Sequence, residues 1–207
     1  MKELKMKKAS LFNKILATPF FYSISQKLMS ATAFRKKIVV NFVKKKPSNI
    51  LDIGCGPAEI LENLKGISYY GFDINKNYIK SAKKNYLSNC SFFCQKFSAN
   101  KIKKNIRFDY VLLLGLLHHL QDEEINLLLI EIKKVLKKKG KLLTLDNVYI
   151  DNQNFIAKKL INLDRGQHVR TKNEYIKLLK KNFKNVNTKI HHQNFIPYTW
   201  FVTKCSI

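Results

Sequence analysis

The 207-residue chain is short of arginine, of acid and of structure-breaking residues: four arginines (Arg35, Arg107, Arg165 and Arg170) stand beside 35 lysines, 14 acidic residues, seven glycines and four prolines. With 45% apolar residues, that scarcity of glycine and proline excludes a low-complexity or collagen-like chain and leaves one globular core of ordinary size. Four cysteines, Cys55, Cys90, Cys94 and Cys205, make neither a CxxC pair nor a cysteine–histidine array at zinc spacing. No metal is therefore expected, and a reducing cytoplasm fits better than a disulfide framework. No run of 18 apolar residues exists, and "ILATPFFYSI" (15–24) is broken by Pro19, so no spanning helix is expected. The basic start "MKELKMKK" carries Glu3 and lacks a persuasive cleavage site, which argues against export but leaves peripheral membrane contact open.

What the chain has in excess is positive charge, +25 formally. Clustered lysines would suit a polyanion, but these run from Lys2 to Lys204 among many asparagines and isoleucines, as a compositional bias would place them. A solvated surface is favoured over a dedicated nucleic-acid face.

Residues 1–46 read as helices broken near Pro19, a segment that could serve as a lid. Short apolar runs then follow at 49–54, 68–74, 91–97, 108–115 and 141–150, separated by helical patterns at 57–66, 75–87 and 122–140. The last of these has Asp122 as N-cap, Glu123 and Glu124 in its first turn, and Gly140 as a left-handed stop. Alternating strands and helices imply a parallel sheet covered on both faces. "TKNE" (171–174) is a capping box opening a further helix, and two strands around Pro197 close the chain. No internal repeat is present.

The densest signal is "ILDIGCGPAEIL" (50–61). A strand delivers Asp52 to its carboxyl end, and Gly54 and Gly56 permit a tight turn and close approach of a ligand. Nineteen residues after Gly54, Asp73 ends the second strand, where a carboxylate can accept both hydroxyls of a ribose. The loop reads G-x-G-x-A rather than G-x-G-x-x-G, and Glu59 would repel a pyrophosphate, so a phosphate-free cofactor such as S-adenosylmethionine is preferred over a dinucleotide.

In order and spacing, "ILDIGCGPAEIL", "GFDIN", "FDYVLLLGLLHHL" and "VLKKKGKLLTLD", spanning 49–146, resemble the successive motifs of the class I S-adenosylmethionine-dependent methyltransferases, most closely the small bacterial type 11/12 group. The resemblance implies an α/β, Rossmann-like three-layer sandwich with a mostly parallel seven-stranded sheet and an antiparallel last strand. It makes 47–207 the methyltransferase domain. Asp52, Gly54, Cys55 and Gly56 would hold the methionine portion, Asp73 and Ile74 the adenosine, and Leu114, Gly115 and Leu116 the floor beneath. After the third strand the family often has an acid facing adenine, whereas "CQKFSAN" (94–100) has none, leaving Ser98 or backbone groups for that task.

His118 and His119, at the carboxyl edge of the fourth strand, are the candidate bases for removing a proton from an acceptor. Residues 147–170 form a long connection expected to lie on the substrate side. Within it "RGQHVR" puts Arg165, His168 and Arg170 together, and arginine grips a carboxylate or phosphate with a fork that lysine lacks. An internal clasp through Asp164 is the competing reading. Tyr22 is a candidate to cover the site. A small-molecule, sugar or lipid-precursor acceptor of anionic character is the expectation. The alternatives are RNA methylation, weakened by the lack of an "NPPY"-type motif, and a non-catalytic protein of the same fold that binds nucleic acid or membrane.

Overall fold

The computed structural model describes residues 19–44, 48–155, 158, 161, 168–193 and 198–207. Helix α1 (Pro19–Phe42) opens on a proline, whose fixed φ suits a first helical position, so Pro19 starts a helix rather than breaking one. Then come β1 (Ser48–Ile53), β2 (Ile67–Asp73), α2 (Lys76–Asn85), β3 (Cys90–Cys94), β4 (Phe108–Leu114), α3 (Asp122–Val135) and β5 (Leu136–Tyr149). The two-residue β6 (Arg170–Thr171), α4 (Lys172–Lys180), β7 (Asn185–Gln193) and β8 (Tyr198–Ser206) complete the order.

Every residue of β4 is buried, as a central strand covered on both faces must be. The sheet order is β3-β2-β1-β4-β5-β8-β7, with β6 paired to β5 beside that path. Strands β1 to β5 run parallel, while β8 runs antiparallel between β5 and β7, as the resemblance implied. Alternate residues of each strand feed two cores: Leu112, Leu114, Leu143 and Leu145 meet Val39 and Phe42 of α1 and Ile79 of α2 on one face. Val111, Leu113 and Leu142 meet Ile125, Leu129 and Ile132 of α3 and Leu178 and Leu179 of α4 on the other. The chain steps from β1 outward to β2 and β3, then returns to place β4 on the opposite side of β1. Such a reversal, at the carboxyl ends of β1 and β4, is where open α/β sheets bind ligands.

Two expected helices are shorter than their patterns suggested. Only Glu59–Asn63 forms a helical turn after the glycine loop, of the 3-10 kind, and Ala58 at φ 61, in the left-handed region, keeps it from starting earlier. The helix from Asp122 ends at Val135; Leu136 is already extended, and "KKKG" belongs to β5, where the pairing with β4 shifts register between Phe108 and Tyr110. Gly140 is not a left-handed stop. Its missing side chain matters for packing, since a β-carbon there would lie 2.7 Å from Leu136 Cδ1. The N-cap is Gln121, whose N–H donates to Glu124 Oε2 at 3.1 Å, and this releases Asp122 for another task. The "TKNE" capping box forms as expected, with Thr171 N–H donating to Glu174 Oε2 and Glu174 N–H to Thr171 Oγ1. Among the described residues no helix is long and apolar enough to cross a membrane, and no three metal-ligating side chains gather.

Candidate functional site

The loop after β1 is tied to the end of β2. Gly54 and Cys55 donate their N–H groups to Phe72 O at 2.8 and 3.1 Å, and Gly56 N–H donates to Asp73 Oδ2 at 2.9 Å. Asn75 N–H donates to the other carboxylate oxygen at 2.8 Å, while the Asn75 side chain caps α2. Asp73 is thus oriented by two backbone donors, and each oxygen keeps a lone pair for a further donor. Gly54 and Gly56 have φ of 76° and 55°, which glycine adopts without a steric penalty. A β-carbon at Gly56 would meet nothing within 4 Å, so the backbone there borders open space. Next to Asp73, Ile74 is 70% exposed, an apolar side chain left uncovered at the rim.

Beneath the loop, Asp52 is buried at 2% exposure and accepts a hydrogen bond from Tyr69 Oη at 2.6 Å. Its Oδ1 is buried without a partner. Burial pushes the carboxyl up to about 7, offset in part by the Tyr69 hydroxyl and then by the Arg35 cation, with the Asp73 charge adding to the rise. Cys55 turns its sulfur inward, where a β-carbon on Gly71 would lie 2.9 Å from it, and burial pushes the thiol up. It can serve the site only through its backbone.

Arg35 reaches the carboxyl end of β4 from α1. Its Nη2 lies 2.9 Å from where a Gly115 β-carbon would stand, and its guanidinium sits 5.8 Å from the Trp200 ring centroid. The Nε is buried without a partner. Gly115 itself, at φ 79°, ends β4 and donates its N–H to Leu145 O at 2.7 Å, and Leu116 packs against Gly54.

The two adjacent histidines differ sharply. His118 is buried, with Nδ1 2.8 Å from Asp146 Oδ1, and its backbone N–H donates to the same oxygen at 3.2 Å. His119 is exposed, its ring 4.2 Å from that of His118. His168 donates its N–H to His118 O at 3.0 Å.

Arg170 does not present a fork to a ligand. Its Nε donates to Asp122 Oδ1 at 2.8 Å, Nη1 to Leu117 O and His168 O, and Nη2 to Leu120 O, while Nη2 also pairs with Asp122. Four hydrogen bonds are thus spent on the fold and the partner acid among the described residues is Asp122; Asp164 lies outside the described residues. Arg165 lies outside the described residues, as does the side chain of Tyr22 on α1. Ser98 donates its hydroxyl to Glu131 Oε2 at 3.0 Å. Arg35, Tyr69 and Asp146 belong to this edge of the sheet although no motif marked them; the one available signal was a lone aspartate closing the apolar run "KLLTLD". Beyond it, at the carboxyl end of β5, Tyr149, Ile150, Asn152, Gln153 and Lys158 line a cavity of about 590 Å³.

Residues 50–140 match the sequence family described as "Methyltransferase domain". No curated protein matches the chain. Among solved structures, it is similar to the 1,6-didemethyltoxoflavin-N1-methyltransferase of Burkholderia thailandensis, solved with 1,6-didemethyltoxoflavin and S-adenosylhomocysteine (TM-score 0.66, 17% identity, 97% of this chain and 88% of that one). It is similar as well to human N-acetylserotonin methyltransferase, solved with S-adenosylmethionine (TM-score 0.64, 18% identity, 88% and 55% of the two chains). A candidate O-methyltransferase from Nostoc punctiforme gives a TM-score of 0.65 at 17% identity, over 91% of this chain and 61% of that one. The chain thus spans less than two thirds of the length of the Nostoc and human proteins, and at these identities the likeness is one of fold.

Proposed function

We propose that this chain, a class I S-adenosylmethionine-dependent methyltransferase, holds its cofactor between the 54–56 loop and Asp73 and methylates a small anionic molecule, such as a sugar or lipid precursor, bound on the β5 side. The observation that carries the reading is the 2.9 Å hydrogen bond from Gly56 N–H to Asp73, which brings the loop and the ribose-type carboxylate to one rim.

The residues present suit this cofactor. Asp52 has an unpartnered buried oxygen for an ammonium group, and Arg35 has an unpartnered buried Nε beside it for a carboxylate, so the two ends of an amino-acid tail meet opposite charges. Asp73 accepts from ribose hydroxyls with its remaining lone pairs, Ile74 offers an apolar surface to adenine, and the Leu114, Gly115 and Leu116 backbone forms the floor. Gly54, Cys55 and Gly56 contribute backbone. When bound, the cofactor supplies a methyl group on a positively charged sulfur, ready for in-line displacement.

On the acceptor side, the 590 Å³ cavity is of small-molecule size, and Lys158 gives its lining a positive charge. His168 and Arg170 hold the 117–120 turn in place, while the Tyr22 side chain and Arg165 lie outside the described residues. Calorimetry with S-adenosylmethionine tests the cofactor assignment: the wild type should bind one equivalent and Asp73→Ala should lose most of that affinity. Undiminished binding by the variant would overturn it. Mass spectrometry of small-molecule extracts incubated with enzyme and cofactor tests the acceptor class. Methylation confined to RNA, with salt-sensitive RNA binding, would replace it by the RNA reading.

A further inference from the structure

Resting on the methyltransferase reading, we infer that His118 is the base of the reaction with Asp146 as its positioning residue, and that the acceptor atom is the oxygen of a hydroxyl group. The two side chains are 4% and 1% exposed and 2.8 Å apart. Packing alone does not call for this pair. A buried carboxylate is costly unless its charge is used, and Asp146 Oδ2 is buried without a partner, while an asparagine would satisfy a histidine N–H without that penalty. An ionised Asp146 accepts the proton on Nδ1 and so leaves Nε2 as the bare, proton-accepting nitrogen.

The ring is fixed from several sides. Arg170 holds the carbonyls of Leu117 and Leu120, His168 N–H holds the carbonyl of His118, and the His118 backbone N–H shares the Asp146 oxygen. Its Cε1 lies 3.6 Å from where a Gly115 β-carbon would begin, so the nitrogen-bearing edge lies at the carboxyl end of β4, where Arg35 Nη2 stands 2.9 Å from the same point. Such positioning is what proton transfer in a transition state requires.

The chemistry then selects the acceptor. A carboxylate or thiolate reaches the reaction already deprotonated and a neutral amine attacks through a free lone pair, whereas a hydroxyl must give up its proton as it attacks. In the step, the acceptor oxygen forms the new O–C bond and passes its proton to His118 Nε2. The carbon–sulfur bond breaks with its electron pair remaining on sulfur, and the imidazolium that forms is balanced by Asp146. Charge and atoms balance: the positive charge passes from sulfur to the histidine.

Two measurements test this. In the nitrogen spectrum of histidine-labelled wild type, the neutral form of His118 should carry its proton on Nδ1 and be bare on Nε2; the reverse tautomer would overturn the dyad. With methyl-¹³C S-adenosylmethionine and a small-molecule extract, the carbon shift of the product methyl should identify an oxygen-bound methyl. Asp146→Asn should reduce its formation by at least about 100-fold with cofactor affinity unchanged. If that variant does not fold, His118→Gln gives the same comparison. A methyl on nitrogen or sulfur, or an oxygen-bound methyl formed undiminished by either variant, overturns the inference. Cofactor binding without any methylated product would instead refute the methyltransferase reading, and the tautomer would then decide the dyad by itself.

Discussion

Raising the pH from 6 to 7 is expected to tighten S-adenosylmethionine binding about five-fold through Asp52 alone. The carboxyl titrates at about 7 in the empty protein because it is buried. About one Asp52 in ten is ionised at pH 6 and about half at pH 7, and only the ionised form attracts the cofactor ammonium, which itself stays mostly protonated below about pH 8. The same displacement has a stability consequence. A carboxyl raised from 3.8 to about 7 favours the folded state at low pH, and that advantage, about 4 kcal/mol, is lost as the pH rises from near 4 through 7. Above 7 the slope from this group vanishes. Calorimetry at pH 6 in buffers of different ionisation enthalpy should reveal nearly one proton released per cofactor bound, and Asp52→Asn should abolish both the release and the pH slope. Tyr69→Phe removes the 2.6 Å hydrogen bond that favours the ionised form, so its affinity midpoint should move to higher pH. A wild-type affinity flat between pH 6 and 7, or a slope that survives in Asp52→Asn, would refute the reasoning.

Arg170→Lys replaces a five-donor fork by an ammonium and strands carbonyls at Leu117, Leu120 and His168; a loss of about 2–4 kcal/mol should appear as a melting temperature lower by about 5–15 °C with cofactor affinity nearly unchanged. Gly56→Ala puts a side chain at φ 55° with space around it, so denaturant unfolding should register a cost of about 1 kcal/mol while calorimetry registers a larger loss of cofactor binding. A cofactor affinity unaffected by this methyl group would count against the loop as the contact surface.

The parallel core was legible because its strands are local signals. "NILDIG" and "FDYVLLLG" are apolar runs ending in glycine, and Asp73, nineteen residues after Gly54, closes the run between them. The end of α3 was not legible: lysines followed by Gly140 read as a helix stop, but the register shift against β4 recruits that stretch into β5. The late arginine, Arg170, is a similar case. Its chemistry suits an external anion, yet Asp122, freed from capping by Gln121, stands 48 residues away in sequence and takes the fork. Arg35 left no pattern and Asp146 only the acid that closes "KLLTLD", since their roles come from α1 lying over β4 and from β5 lying beside the 117–120 turn.

The convergence of the glycine loop and Asp73 on one ligand is tested most directly by backbone amide shifts of the labelled protein titrated with S-adenosylhomocysteine. Saturable changes centred on Gly54, Gly56, Asp73, Ile74 and Gly115 are predicted, with the loop amides moving furthest. Changes confined to the cavity around Tyr149 and Gln153, or none at saturating ligand, would contradict the account.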